Sequence, residues 1–484
     1  MKSKNLFLAL ILIILLGGFF RFYDLGVESL WFDECFTYNF AGRTMPEIVD
    51  VLKESDVHPI LYYVMMRFSY LNLGTSEFDL RLPSVFFGIS SIILIYYLGK
   101  EFSDKKTGLL ASLLLAISYT AILYSQEAKM YSLFMSASIF SILYYIKFMK
   151  MPSKNNLIVL GIANAVLLHT HVVGIFINIA LFIYYLTCYI FSNEDKEDLN
   201  FIIFKNYKSK FDLKKYMYSV FLTFLIYLPW LPIFYYQFNT LFVHMLRDKL
   251  IEKLGLDAYP VIVLLGFIFV ALYFILVYYL SRNKQLFQKI KQFYTNIKFN
   301  ENIFALLLVT YLIFDIFVSN FFFKPVHFVR FSIFILPLAY VLLSKFLFNI
   351  KKQKLFTFLL LIFLVVSSIE LYNYYAYDNK EQFREVAEYI EVGSDNNDIL
   401  FLHSSYIATE CFNYYYSGNI QQVELMYENE SDKIIDTENS GFIYLLLTHN
   451  YKTKEFFKDE MDKHYRLVKH SPFIGIDVYK YIKP

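Results

Sequence analysis

The feature of this 484-residue sequence that most constrains its fold is a series of long apolar runs. A helix needs about 20 mostly apolar residues to cross the hydrocarbon core of a bilayer. The runs predict eleven crossings, near residues 6–22, 82–99, 108–124, 130–149, 157–170, 172–191, 216–236, 259–280, 301–320, 329–348 and 355–371. We therefore expect an α-helical polytopic membrane protein rather than a set of soluble domains.

Two of these runs allow more than one interpretation. Residues 157–191 are too long for a single crossing, and we divide them at the polar His169-Thr170-His171; a merged or re-entrant segment is the alternative. The first run follows a basic N-terminus, as a secretory signal does, but it shows no clear small-x-small cleavage site. We expect residues 6–22 to be an uncleaved anchor.

The composition excludes several classes of function. The chain is 57% hydrophobic and 18% charged, and its net charge of +2 provides no field for wrapping nucleic acid. Its three cysteines, Cys35, Cys188 and Cys411, are far apart and lack metal-binding spacing. We therefore expect neither a disulfide framework nor a zinc site.

The distribution of lysine and arginine predicts the orientation. Basic residues concentrate in the connections on the N-terminal side, above all within 196–215 and 282–298. Because these residues resist translocation, the N-terminus is expected to be cytoplasmic. After an odd number of crossings, the C-terminal tail is expected to lie outside.

The chain divides into two predicted domains. Residues 1–371 form the transmembrane domain, whose first external loop, 23–81, contains amphipathic segments suited to helices in the membrane interface. Residues 372–484 are richer in charge and contain strand-length apolar runs at 398–403, 441–447 and 474–482. Together with helical spacing in 383–390, these runs predict a small α/β domain.

Two adjacent carboxylates occur in Trp31-Phe32-Asp33-Glu34, just beyond the first predicted crossing. In one interpretation Asp33 caps a helix and Glu34 is solvated in its first turn. In the other, one carboxylate is a general base whose pKa is tuned by burial and by neighbouring cations.

Further polar groups fall at the same predicted interface, and each has a simpler explanation. His58, within Asp56-Val57-His58-Pro59, could mark a helix start. Glu127 and Lys129 could be solvated loop charges, and Arg330 could anchor the helix to lipid instead of binding a phosphate. The nine groups predicted to share this interface are Asp33, Glu34, His58, Arg81, Glu127, Lys129, His169, His171 and Arg330.

Four motifs, taken in order, resemble those of a known family. They are Trp31-Phe32-Asp33-Glu34, His58-Pro59-Ile60-Leu61-Tyr62-Tyr63, Arg81-Leu82-Pro83-Ser84 and Tyr124-Ser125-Gln126-Glu127-Ala128-Lys129-Met130-Tyr131. The sequence resembles the GT-C glycosyltransferases that use polyprenyl-phosphate sugars, in the branch of the protein O-mannosyltransferases and the lipid A aminoarabinose transferase. The resemblance extends to about residue 350. Relatives commonly have arginine in place of Lys129 and His-Pro-Pro in place of His58-Pro59-Ile60.

The resemblance implies that Asp33 is the catalytic aspartate, that Glu127 is the acid of the second external loop and that Arg330 contacts the donor phosphate. The other candidates are assigned from their predicted place at the same interface. The expected catalytic groups are Asp33, Glu34 and Glu127, and the expected ligands of the donor phosphate are Arg330, Lys129 and Arg81. The expected contacts to the substrates are His58, Tyr62, His169 and His171. Asp33 is the expected base, and the reaction is expected to invert the anomeric carbon. The partners implied are a polyprenyl-phosphate sugar donor, membrane lipids and a glycan, lipid or protein acceptor.

Two questions stay open in the sequence. No spacing requires a divalent cation, although acids and histidines could bind one, and we expect a metal-independent reaction without cofactors. Asp315, a carboxylate inside an apolar run, keeps a lipid-sugar transporter or flippase as an alternative. A glycan polymerase or ligase is a second alternative.

Overall fold

The structure is a computed structural model that describes residues 3–56, 58–193, 212–239, 328–403, 406–425, 427–435, 441–448 and 454–484. The helices of its membrane part are α1 (Ser3–Phe22), α2 (Phe32–Gly42), α3 (Met45–Ser55), α4 (Leu61–Asn72), α5 (Glu77–Phe102), α6 (Lys105–Ala116), α7 (Tyr119–Leu123), α8 (Tyr131–Lys150), α9 (Lys154–Thr170), α10 (Gly174–Asn193), α11 (Leu213–Tyr227), α12 (Leu231–Gln237), α13 (Phe328–Phe331), α14 (Ile335–Asn349) and α15 (Gln353–Ala376).

Within the described residues, five helical segments are long and apolar enough to cross a membrane. They are Lys4–Phe22, Glu77–Phe102, Tyr131–Lys150, Leu213–Gln237 and Gln353–Ala376. The division of 157–191 is confirmed, since α9 ends at Thr170 and α10 begins at Gly174. The predicted crossings at 259–280 and 301–320 lie outside the described residues, so the number of eleven stays a prediction.

The predicted crossing at 108–124 is interrupted. Helix α6 ends at Ala116, and the hydroxyl of Ser118 accepts a hydrogen bond from the amide of Ala121 to start α7. Side-chain capping of this kind favours a new helix start over continuation. Helix α6 packs tightly on α5, because a Cβ on Gly99 would lie only 2.7 Å from the Cα of Gly108. Glycine is therefore required where α5 and α6 pack against each other.

The two amphipathic segments predicted in the loop 23–81 are helical, as α3 and α4, and α2 precedes them. Their location in the membrane interface stays a prediction. Helix α4 buries Tyr62, Tyr63 and Met66 against the membrane helices. The loop is thus a packed layer across one end of the bundle, not a flexible connection. This layer carries the acidic motif of α2 to the same end as the loop between α7 and α8.

The C-terminal part is an α/β domain, as predicted. Its elements are α16 (Phe383–Gly393), β1 (Ile399–His403), α17 (Tyr406–Tyr415), β2 (Gln421–Leu425), α18 (Asp432–Ile435), β3 (Ile443–Thr448), α19 (Lys454–His464), β4 (Arg466–Phe473) and β5 (Ile476–Ile482). The sheet order is β2-β1-β3-β5-β4, with β1 parallel to both of its neighbours and β5 antiparallel to β3 and β4. Every residue of β1 and β3 is buried, as continuous apolar runs predict.

The expectation that the cysteines form no disulfide is wrong. Cys35 of α2 and Cys411 of α17 form a disulfide, with 5.3 Å between their Cα atoms, while Cys188 is a buried free thiol. The two bonded cysteines are 376 positions apart, so no local spacing could reveal the pairing. The bond ties the C-terminal domain to the helix that carries Asp33.

We predict that replacing both Cys35 and Cys411 by serine lowers the free energy of unfolding by about 2–4 kcal/mol, because the disulfide restricts the unfolded chain. Thermal unfolding in detergent, with and without a reductant, measures the effect. Reductant should lower the unfolding temperature of the wild-type protein and leave the double variant unchanged. Equal sensitivity of both proteins to reductant would contradict the assignment.

Candidate active site

An ion pair between Asp33 and Arg330 lies at the end of the bundle that carries α2. The Oδ2 atom of Asp33, in the first turn of α2, is 2.7 Å from Nη1 of Arg330 on α13. Their side chains are 24% and 21% exposed, so both remain within reach of a ligand. The guanidinium also donates to the hydroxyl of Tyr131 at 3.3 Å and lies over the rings of Trp31 and Tyr131.

Glu34, the neighbour of Asp33, is completely buried. Its carboxylate accepts from Nε and Nη2 of Arg81, both at 2.8 Å, from the amide of Ala128 at 2.8 Å and from Nζ of Lys380 at 3.2 Å. Burial alone would raise the pKa of this carboxyl, but the two cations and the hydrogen bonds lower the pKa of Glu34 to about 2. Glu34 is therefore a buried anion that joins separate segments of the chain.

Arg81 has no N–H group left for a phosphate. A guanidinium has five N–H donors. Besides its two bonds to Glu34, Arg81 donates to the carbonyls of Leu25, Glu28 and Ser29 at 2.7, 3.0 and 3.1 Å. Its exposure is 1%. The structure thus gives Arg81 a different position from the phosphate-binding one predicted, because all its donors are used within the protein.

The loop between α7 and α8 is held rigidly beside α2. Gln126 donates to the carbonyls of Phe20, Arg21 and Tyr23, and its Oε1 accepts from the hydroxyl of Tyr374 at 2.8 Å. The adjacent residue, Glu127, is therefore fixed in place by both the first and the last described membrane helices. Such fixation is what an active site needs in order to orient reacting groups.

Glu127 and Lys129 both lie in this loop and are nearly fully buried. Burial raises the pKa of Glu127, while Lys380 opposes the rise, and its Oε2 has no hydrogen-bond partner within the described residues. The ammonium of Lys129 lies 4.8 Å from the centre of the Phe36 ring. A buried carboxyl oxygen without a partner costs free energy, which indicates a place for a ligand.

His58 and His171 come together although they are far apart in sequence. Their ring centres are 4.9 Å apart, and burial lowers the pKa of both imidazoles. Nδ1 of His171 accepts from the amide of Val173, which places the ring proton on Nε2. Within the described part of the chain, this Nε2 and Nδ1 of His58 lack partners. The pair therefore offers hydrogen-bonding atoms to a neutral, polar ligand.

Two predicted contact residues lie elsewhere. Tyr62 is fully buried, and its hydroxyl is 2.9 Å from Oγ of Ser84, so it belongs to the packing behind the site. His169 faces α11, where Nε2 is 3.2 Å from the carbonyl of Ile226. Two residues apart across a helix end, His169 and His171 point in different directions, and only His171 joins the site.

Sequence reasoning missed one group of this cluster, Lys380. This residue follows α15 and is 8% exposed, with its Nζ 3.2 Å from Glu34 and 3.0 Å from the carbonyl of Gln126. It lies within residues 372–484, whose charge content predicts a soluble domain. No local pattern distinguishes a lysine that folds back into a site from one that is solvated.

One region of the sequence matches the model of a known protein family. Residues 57–194 match the family model described as dolichyl-phosphate-mannose-protein mannosyltransferase. These residues are similar to that family. The match confirms the resemblance predicted from the motifs, and the matched region includes His58, Glu127 and His171. No curated protein matches the sequence.

Solved structures share the fold over nearly the whole chain. The archaeal oligosaccharyltransferase AglB from Archaeoglobus fulgidus, in complex with an inhibitory peptide and a dolichol-phosphate, has 11% identity and a TM-score of 0.58 and covers 100% of this chain and 74% of that one. ArnT from Cupriavidus metallidurans, bound to undecaprenyl phosphate, has 10% identity and a TM-score of 0.55 over 99% of this chain and 98% of that one. The chain therefore shares the fold of these two enzymes.

A third structure is the Archaeoglobus fulgidus oligosaccharyltransferase in complex with zinc and sulfate, with 12% identity and a TM-score of 0.54 over 98% of this chain and 73% of that one. Among the described residues, no group of three or more His, Cys, Asp or Glu side chains is arranged to hold a metal ion. Asp33 and Glu34 are instead paired with cations.

We predict that Arg81→Met lowers the free energy of unfolding by about 3–5 kcal/mol, because Glu34 would remain buried without its main partner. Glu34→Gln should also destabilise, and the double variant should recover part of the loss. Thermal unfolding in detergent measures all three, and Lys53→Met, which removes a cation from an exposed pair with Asp50, is the matched control.

The pH dependence of stability provides a second test of this pair. Since the pKa of Glu34 is lower in the folded protein, its contribution is present above the unfolded value of 4.5 and is lost as the pH falls towards 2. Glu34→Gln should lack this component of acid sensitivity. A stable Arg81→Met protein with weakened donor binding would instead favour a phosphate-binding role for Arg81.

Proposed function

We propose that this protein is an integral membrane glycosyltransferase that transfers a sugar from a polyprenyl-phosphate donor to an extracytoplasmic acceptor. The observation that carries the proposal is the Asp33–Arg330 pair, partly exposed and surrounded by polar atoms that lack partners. In the described part of the chain, buried side-chain polar atoms of Trp31, His58, Glu127 and His171 have no hydrogen-bond partner. A polar ligand beside Asp33 would satisfy them.

The family and the fold support the class of donor. The matched family is described by a dolichyl-phosphate-mannose donor, and the structures of AglB and ArnT hold dolichol-phosphate and undecaprenyl phosphate. A prenyl chain stays in the bilayer, so an enzyme that uses such a donor must present its site at the membrane surface. The external end of this bundle, where Asp33 and Arg330 meet, meets that requirement.

The proposed chemistry needs one base. Asp33 accepts the proton of the acceptor hydroxyl as its oxygen attacks the anomeric carbon, while the bond from that carbon to the phosphate oxygen breaks. The departing phosphate keeps the electron pair and is already a good leaving group, so no acid must protonate it, unlike in most glycosidases. Attack opposite the leaving group inverts the anomeric carbon. General base assistance is worth about 10²–10⁴ in rate.

Arg330 has two tasks in this proposal. Without donor it pairs with Asp33, and a donor phosphate competes for its guanidinium, because two N–H groups of arginine match two phosphate oxygens. Withdrawal of Arg330 towards the phosphate frees Oδ2 of Asp33 to accept a proton. Lys129, close to the same centre, adds positive charge that stabilises the leaving phosphate.

We propose that the site faces the outside of the cell, with a cytoplasmic N-terminus and an extracytoplasmic C-terminal domain. The distribution of basic residues supports this orientation, and the Cys35–Cys411 disulfide is the kind of bond that persists in oxidising compartments. The acceptor would then be a surface glycan, a lipid or an exported protein. The transporter alternative depends on Asp315, which lies outside the described residues.

We predict that Asp33→Asn abolishes transfer from a radiolabelled polyprenyl-phosphate sugar, with a loss of about 10²-fold or more, because the amide cannot accept the proton. Purified protein in lipid vesicles is assayed with the donor and a mixture of candidate acceptors. Asp50→Asn, in the same external loop but exposed on α3, is the control and should retain activity.

The same assay tests the metal-independent part of the proposal. Addition of EDTA should leave the wild-type rate unchanged, and loss of activity that a divalent ion restores would overturn that part. Asp33→Asn activity within a few-fold of wild type would remove Asp33 from the role of base.

We predict that Arg330→Ala raises the Kd for the donor by about tenfold or more, since a charge-assisted hydrogen bond to phosphate is lost. Binding of polyprenyl phosphate without the sugar, measured by quenching of tryptophan fluorescence, isolates this contact from catalysis. Arg43→Ala, on the same layer of interfacial helices, is the matched control. Unchanged affinity in Arg330→Ala would contradict the assignment.

A further inference from the structure

The segment 379–381 connects the C-terminal domain to the first external loop. The amides of Asn379 and Lys380 donate to Oε1 of Glu28 at 2.5 and 3.2 Å. Oε2 of Glu381 accepts from the amide of Phe32 at 2.9 Å, and the carbonyl of Glu381 accepts from the hydroxyl of Ser29. Phe32 directly precedes Asp33, so this segment contacts the chain on one side of the proposed base.

The side chain of Lys380 contacts the other side of the base. Its ammonium donates to both carboxylate oxygens of Glu34, at 3.4 and 3.2 Å, and to the carbonyl of Gln126 at 3.0 Å. Glu34 directly follows Asp33, and Gln126 directly precedes Glu127. One buried ammonium therefore bridges the immediate neighbours of both acids in the proposed site.

We infer that Lys380 is a positioning residue, through which the C-terminal domain fixes Asp33 of α2 and Glu127 of the α7–α8 loop relative to each other. The inference rests on the proposed function. It assigns the C-terminal domain a part in catalysis that is separate from any binding of acceptor. A misplacement of reacting groups by about 1 Å can lower the rate by about 10²-fold, so loss of such a bridge should have a measurable effect on kcat.

Charge gives this bridge a second effect. The charged groups that act on Glu127 are Lys380, Glu34, Arg330 and Asp33. Lys380 opposes the rise that burial imposes on the pKa of Glu127, so removal of the ammonium must raise that pKa further. If the ionised form of Glu127 supports the reaction, the acidic limb of the kcat profile moves to higher pH when Lys380 is lost.

Arg384 provides a matched control. It also joins the C-terminal domain to the membrane part, by hydrogen bonds to the carbonyl of Val27 and to Glu77, and its pair with Glu77 is partly buried. None of its described hydrogen bonds or ion pairs reaches Asp33, Glu34 or Glu127. Arg384→Met thus weakens the same docking without removing the bridge between the acids.

The experiment compares Lys380→Met, Lys380→Arg and Arg384→Met as full-length proteins in lipid vesicles. For Lys380→Met we expect kcat to fall by about 10–100-fold, with KM for the polyprenyl-phosphate sugar within about twofold of wild type. The acidic limb of the pH profile of kcat for Lys380→Met should move to higher pH. Lys380→Arg, which keeps the charge, should recover part of kcat and the wild-type pH profile, and Arg384→Met should keep both.

Two results would overturn the inference. One is Lys380→Met activity within about twofold of wild type; the other is an equal loss in Lys380→Met and Arg384→Met without a shift in pH profile, which indicates docking alone. Formation of the Cys35–Cys411 disulfide shows whether each variant folds. If Lys380→Met does not fold, Lys380→Arg decides, since a folded arginine variant with kcat lowered by more than about 100-fold, or with a shifted pH profile, would count against positioning by charge.

Failure of the proposed function is distinguishable from failure of this inference. A wild-type protein that does not use the donor, or an active Asp33→Asn, refutes the function. The bridge is then judged by unfolding temperatures of Lys380→Met, Glu34→Gln and the double variant. Non-additive changes support the bridge, and additive changes overturn it.

Discussion

The buried pair of Glu34 and Arg81 is the interaction on which the geometry of the layer formed by α2, α3 and α4 depends. Taking a carboxylate and a guanidinium out of water costs several kcal/mol each, and only near-complete hydrogen bonding offsets that cost. Here all five donors of Arg81 are used, and Glu34 has partners on α5, on the α7–α8 loop and on the segment after α15. Four distant parts of the chain are held at one point as a result.

This arrangement gives the adjacent acids Asp33 and Glu34 different roles. Successive residues of an α-helix point about 100° apart, because a turn contains 3.6 residues. In the first turn of α2, Glu34 therefore points into the protein while Asp33 points towards Arg330 at the partly exposed surface. Burial of Glu34 fixes the helix, and the fixed helix presents Asp33.

The sequence predicted what depends on local pattern and failed where partners are remote. Apolar runs located the membrane helices and the buried strands β1 and β3, whereas β2 and β4 expose residues on their faces and lack such runs. The motifs identified Asp33 and Glu34 together but could not separate their roles, since both are carboxylates until burial distinguishes them. The positions of Tyr62 and His169 depended on helix orientation, which spacing alone does not determine. Lys380 and the Cys35–Cys411 bond join residues more than 340 positions apart and left no local signal.

The chain order of these remote contacts has a consequence for biosynthesis. The helix that carries Asp33 is translated long before its lysine partner and its cysteine partner, which come 346 and 376 positions after the residues they bind. Until the ribosome has passed Cys411, α2 lacks at least one of these partners. Assembly of the layer around α2 is therefore delayed until both residues have been made, and a product truncated before Lys380 cannot complete it.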